Sequence, residues 1–155
     1  MEAAQPTTVS GCSPLRLSFG PAWSEATGQE TSTFVVKNLS GRRCSFDGYP
    51  KIAFLDGRGR VLGFTYYHGG DQMITTDPPH LVVVANGGRL FFAINKFRCD
   101  VRETAIARTI RIKLPGNSTW LAIPLRLGYC GGGEPSGVIS VSPVVASMNA
   151  AARRH

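Results

Sequence analysis

The chain has 155 residues, 43% of them hydrophobic, and a formal net charge of +7. This length suits one domain with a two-layer core. The hydrophobic content excludes a disordered chain. A transmembrane helix is excluded because no apolar run reaches about 18 residues. The basic residues are dispersed in pairs such as Arg42-Arg43 and Arg153-Arg154, which excludes a specific nucleic-acid groove and leaves weak attraction to anionic surfaces.

Short segments of alternating apolar and polar residues, punctuated by turns, predict an all-β chain. Residues 109–114 alternate strongly and stop at Pro115-Gly116, and Asp56-Gly57 and Asn86-Gly87 are hairpin signals. The predicted strands, in chain order, are residues 15–19, 31–37, 51–55, 60–67, 81–85, 89–94, 109–114, 120–127 and 138–145. Because no crossover helix separates them, we expect an antiparallel β-sandwich of about seven to nine strands.

The remaining segments lack this alternation. Residues 1–11 predict a flexible lead-in, and residues 147–155 predict a frayed tail, which leaves residues 12–146 as one domain. Residues 44–50 are expected to be irregular, and residues 102–105 to allow one helical turn.

The chain has four widely spaced cysteines, Cys12, Cys44, Cys99 and Cys130, which bear on its cellular compartment. No Cys-x-x-Cys pair occurs, which argues against a zinc ribbon or a thioredoxin-like motif, and three disulfide connectivities are possible. We expect Cys12–Cys44 and Cys99–Cys130, because each bridge would join the edges of one local unit; four reduced thiols are the alternative. Disulfides persist outside the reducing cytosol, so the cysteines predict a secreted or cell-envelope protein, although the chain starts without a signal peptide.

A fixed order of short motifs runs through residues 12–145. The motifs, in order, are Cys12, residues 37–40 (Lys-Asn-Leu-Ser), Cys44, Gly48-Tyr49-Pro50, the turn at residues 56–59, Gly87-Gly88, Cys99, Leu114-Pro115, Cys130 and residues 141–144 (Val-Ser-Pro-Val). This order resembles the secreted actinobacterial family called domain of unknown function 4232, although Asn86-Gly87 stands where that family commonly has Pro-Gly. The resemblance implies an immunoglobulin-like sandwich in the extracytoplasmic space, and it implies no catalytic residues.

The motif Gly48-Tyr49-Pro50 is interpreted as structural. Glycine permits an unusual backbone angle, tyrosine can pack or bond the turn, and proline rigidifies the start of the next strand.

The segment 64–72 is the candidate ligand surface, because it is the one aromatic-rich stretch beside a glycine loop. Strand alternation would turn Phe64 and Tyr66 to one face and Tyr67 to the other. The candidate binding residues are Tyr66, Tyr67, His68 and Asp71. An exposed Tyr67 beside His68 could anchor a partner or a sugar, and a satisfied edge-strand aromatic is the alternative interpretation.

No catalytic residue, metal site or cofactor is predicted. His68, Asp71, Asp77 and His80 have metal-ligand side chains, but their spacing falls in loops without regular geometry, and no serine lies in a Gly-x-Ser-x-Gly motif. The sequence therefore predicts a non-catalytic extracytoplasmic module that binds a protein, a glycan or a cell-envelope component. A hydrolase using His68 or His80 and a purely structural envelope domain are the alternatives.

Overall fold

The computed structural model describes residues 12–25 and 27–153, and almost all of its regular structure is β. The strands are β1 (Leu15–Ser24), β2 (Gln29–Asn38), β3 (Cys44–Phe46), β4 (Lys51–Leu55), β5 (Thr65–Tyr67), β6 (Val82–Val84), β7 (Arg89–Phe97), β8 (Ala105–Lys113), β9 (Leu121–Tyr129) and β10 (Val138–Val141). A short 3-10 helix spans Pro135–Gly137, and a single-turn helix, α1, spans Met148–Ala151. The expected all-β class is confirmed, and no helix in the described ranges has the length and apolar character needed to cross a bilayer.

The strands form two main layers. The larger sheet has the order β1-β2-β7-β10-β5, and the smaller sheet has the order β4-β8-β9; β3 and β6 form a separate pair. Every pairing is antiparallel except that of β10 with β5, which is parallel. This parallel pair departs from the expected all-antiparallel sandwich, and it can form because β5 and β10 are connected through four intervening strands rather than by a tight turn.

The core lies between these layers and is filled by alternate side chains of the central strands. Phe34 of β2 and Phe92 of β7 stack with ring centroids 4.9 Å apart, and neither ring is exposed to solvent. Ile110 and Ile112 of β8 are equally buried on the facing sheet. Burial of such side chains is the main force that holds the two sheets together.

The two predicted disulfides are confirmed. Cys12 is bonded to Cys44 and Cys99 to Cys130, with Cα atoms 6.2 and 6.1 Å apart. Both separations lie in the range that an unstrained backbone can bridge. The two bridges indicate an oxidising, extracytoplasmic environment.

Several strand boundaries differ from those predicted. Residues 44–50 contain the short strand β3, residues 102–105 are not helical, and the last strand ends at Val141. The segment 60–67 contributes only the three residues of β5, because the chain stays paired with β4 through one bridge, Leu55 to Val61, and then crosses to the other sheet.

The tail after Ser147 is ordered as far as Arg153, contrary to the expected fraying. The Ser147 hydroxyl caps α1 by accepting a hydrogen bond from the Ala150 backbone N–H. Ala151 and Ala152 are buried against Ile74 and Val145. The expected flexible lead-in at residues 1–11 and the last two residues of the tail lie outside the described residues.

The outward faces of the two sheets differ. The segment around Ile74 and the helix α1 cover part of the outward face of the larger sheet, where Phe91 and Ala93 of β7 meet them. The outward face of the β4-β8-β9 sheet has no comparable covering cluster in residues 12–25 and 27–153. The more open face belongs to the smaller sheet.

Candidate functional site

The Gly48-Tyr49-Pro50 motif places an aromatic ring against His68. Gly48 has a φ of 133°, in the region that favours glycine, and its carbonyl accepts a hydrogen bond of 3.0 Å from the Val144 N–H. The Tyr49 ring lies parallel to the His68 imidazole with centroids 4.0 Å apart, and the Tyr49 hydroxyl donates to the His68 carbonyl at 2.7 Å. Two contacts between the same pair of residues hold both rings in place.

Strand β5 turns its two tyrosines to opposite sides, as alternation predicts. Tyr66 packs against the core, and burial raises the pKa of its hydroxyl to about 12. Tyr67 faces outward with 53% of its surface exposed. We define the aromatic patch as Tyr49, Tyr67 and His68, because Tyr66 lies largely inside the fold.

We expect the stacked ring of Tyr49 to influence the pKa of His68. Partial burial lowers this pKa from its usual value, because the protonated ring loses hydration. A Tyr49→Ala substitution should uncover the imidazole and raise its pKa toward about 6.5, as followed by NMR titration of the ring protons. The folded protein binds fewer protons at His68 than the unfolded chain does. The contribution of His68 to the free energy of unfolding is therefore complete above a pH of about 6.5 and declines as the pH falls below it.

A Tyr49→Phe variant is the matched control. Phenylalanine keeps the ring over His68 and removes only the hydroxyl, so the pKa of His68 should stay lowered. A shift of equal size in both variants would contradict the proposed screening by the stacked ring.

Asp71, near the end of the candidate segment 64–72, has a structural role. One carboxylate oxygen accepts hydrogen bonds of 2.8 Å from the Met73 and Ile74 N–H groups, and the other accepts one of 3.0 Å from the Asn95 side chain. Asn95 is 1% exposed and also bonds Gln29 and Thr31. The carboxylate therefore anchors its loop to β2 and β7, and the aromatic patch does not include it.

The four residues with metal-ligand side chains do not converge. Among the described residues, no three histidine, cysteine, aspartate or glutamate side chains come close enough to hold a metal ion. His68 is stacked on Tyr49, whereas His80 is an exposed residue just before β6. Neither imidazole forms an ion pair with a carboxylate within residues 12–25 and 27–153.

A second group of side chains was not identified from the sequence. Trp120 lies against two cations of β8, with the guanidinium carbon of Arg111 4.7 Å and the Nζ of Lys113 5.1 Å from the ring centroid. The signal was present in the alternation of β8, since Arg111 and Lys113 are two residues apart and so share its outward face. The position of Lys51 opposite Lys113 could be known only from the sheet register, and the contact of Trp120 with both cations only from the structure.

Comparison with known proteins identified a family. The family model described as domain of unknown function (DUF4232) matches residues 12–145. No curated protein and no solved structure matches the chain.

Proposed function

Because the chain belongs to the DUF4232 family, whose description assigns no activity, we propose from its surface that it is a non-catalytic binding module that acts outside the cytoplasm. We place it among secreted actinobacterial proteins with an immunoglobulin-like sandwich, located outside the cell or in the cell envelope. The two disulfides support the extracytoplasmic part of this proposal.

The ligand surface that we propose is the aromatic patch, and its partner is a protein of the same compartment. The carrying observation is the parallel Tyr49–His68 stack at 4.0 Å, close in the chain to the exposed Tyr67. Rings that are already fixed lose little conformational entropy when they bind, and tyrosine is enriched among residues that dominate protein interfaces.

The position of the patch also favours a protein partner. Strand β5 is an outermost strand of the larger sheet, and Val138 beside it on β10 is 40% exposed. An outermost strand offers backbone groups to a partner strand, and exposed apolar side chains next to it add contact area. The exposed Tyr67 and this edge therefore support a protein as the partner.

Site-specific crosslinking tests this proposal. A photo-reactive amino acid at position 67, in protein exposed to the extracytoplasmic fraction of its own cells, should give a crosslinked product of defined mass, identified by mass spectrometry. With that partner purified, Tyr67→Ala should weaken binding by at least about tenfold, as expected for the loss of an interface tyrosine.

The matched control places the same photo-reactive group at Val83, which is 54% exposed on β6. This position should not give the product seen from position 67. Identical products from both positions, or none from position 67, would contradict protein binding at the patch and favour a structural role.

A further inference from the structure

The strands of the β4-β8-β9 sheet carry basic side chains and no acidic ones. The three strands contain Lys51, Arg108, Arg111, Lys113 and Arg126 and no aspartate or glutamate. Of these cations, only Arg126 forms an ion pair with a described residue, to Glu103 at 3.5 Å.

Two of these cations are placed opposite each other in the sheet. Lys51 of β4 and Lys113 of β8 are direct cross-strand partners, and Arg111 follows on the same face of β8. Like charges in directly opposite positions destabilise a sheet, because their side chains point the same way at short range. An anion that binds between them would remove this repulsion.

Trp120 places an aromatic ring beside these cations. It is 37% exposed and lies within cation–π distance of Arg111 and Lys113. The cross-strand neighbours of Arg111 on both sides are the small residues Ala53 and Ala122, which leave room for large side chains above the sheet.

Arg111 is packed in this arrangement rather than freely solvated. Its Nε is shielded from solvent and has no hydrogen-bond partner among residues 12–25 and 27–153. The stacked guanidinium still has its terminal N–H groups, which match the geometry of an oxyanion.

We propose that Lys51, Arg111, Lys113 and Trp120 form a binding surface for an acidic polysaccharide. The cations contact the carboxylate groups of the polymer, and the indole of Trp120 packs on a sugar ring. The exposed indole favours a sugar polymer over a simple inorganic anion, and the disulfides place the protein where nucleic acid is not the expected ligand.

A membrane surface fits this face less well than a polysaccharide. Within the described part of the chain, the large exposed apolar residues are Phe19, Val61, Tyr67, Leu81, Val83, Phe97, Val101, Trp120 and Val138. Of these, Trp120 is the one that lies against the cations Arg111 and Lys113, so the proposed surface has one apolar anchor where an interfacial segment uses several.

Binding to polygalacturonate, measured by affinity electrophoresis and by tryptophan fluorescence, tests the proposal. The wild-type protein should bind polygalacturonate and not neutral dextran, and the binding should weaken as salt is raised. A Lys51→Ala, Lys113→Ala double variant should bind about tenfold more weakly, and Trp120→Ala should lose a similar amount. The remaining Trp23 serves as an internal reference for the fluorescence.

The control is a double variant of equal charge change, Arg58→Ala with Arg60→Ala, at exposed positions of the turn after β4. It should bind polygalacturonate within about threefold of wild type. Circular dichroism and the thermal midpoint should show that all variants are folded.

Three results would overturn the proposal. An equal loss in the two double variants would mean that net charge alone drives binding. Tighter binding to duplex DNA or to phosphatidylglycerol vesicles through the same residues would identify another ligand class, and no binding to polygalacturonate would remove the ligand. The aromatic patch is tested by different variants, so either surface can fail without the other.

Discussion

A Cys99→Ser, Cys130→Ser double variant is expected to lose about 4 kcal/mol of unfolding free energy. The bridge joins residues 31 positions apart in sequence, and its removal gives the unfolded chain the conformational freedom of that loop. In the folded protein the bridge ties the chain just after β7 to the chain just after β9, and so it connects the two sheets. The measurement is urea unfolding at equilibrium, with stability taken from the midpoint and slope.

The other bridge is the matched comparison. Cys12 and Cys44 are 32 positions apart, so the corresponding double serine variant should lose nearly the same free energy. Wild-type protein should show no free thiol by mass analysis without reductant. Four free thiols in that analysis, or a loss below about 1 kcal/mol in both variants, would contradict a stabilising role for the bridges.

The strands were predictable wherever one face is buried and the other solvated. In β8, Ile110 and Ile112 face the core while Arg111 points outward, so hydrophobicity alternates with the period of a strand. The Cys99–Cys130 pairing was also accessible, because each bridge connects neighbours of one local unit. These features depend on residues that are close together in the chain.

The covered face of the larger sheet was not predictable, because its contacts join distant parts of the chain. Ile74 bridges to Ala152, and the Asp71 carboxylate bonds Asn95 on β7. A run of alanines near the end of a chain has no strong pattern, and only a partner surface such as Ile74 makes its burial favourable. The tail was therefore expected to fray although part of it is fixed by packing.

The candidate surfaces also combine features that follow from local alternation with contacts that join distant parts of the chain. Outward projection of Tyr67 follows from the alternation of β5, and the structure confirms it. The stack of Tyr49 on His68 joins residues that are 19 positions apart and lie beside strands of different sheets, which no local pattern indicates. The contact of Trp120 with Lys113 similarly needed the pairing of β8 with β9.

An Asp71→Ala variant is expected to lose about 3 kcal/mol of unfolding free energy, from charged hydrogen bonds that no other group replaces. The substitution removes the acceptor of two backbone N–H groups and of the Asn95 side chain. Thr31 and Gln29, which are 1% and 4% exposed, belong to the same buried network, so the loss weakens the attachment of the loop to β2 and β7.

The same variant should loosen α1, because the loop and the helix are bonded to each other. The Thr75 N–H donates to the Ala151 carbonyl at 2.9 Å, and the Arg153 N–H donates to the Met73 carbonyl at 3.0 Å. Hydrogen exchange at these amides should accelerate more than exchange at Phe92 in the core, since a local opening of the loop no longer costs the bonds to Asp71.

Asp77→Ala is the matched control within the same loop. Asp77 is exposed and its carboxylate has no hydrogen bond or ion pair to a described residue, so the substitution should change stability by less than about 0.5 kcal/mol. If Asp71→Ala were equally mild, or if it left the exchange of the Thr75 and Arg153 amides unchanged, the loop and the terminal helix would be held by apolar packing alone. The covered face of the larger sheet would then depend on Ile74, Ala151 and Ala152 rather than on the buried polar network.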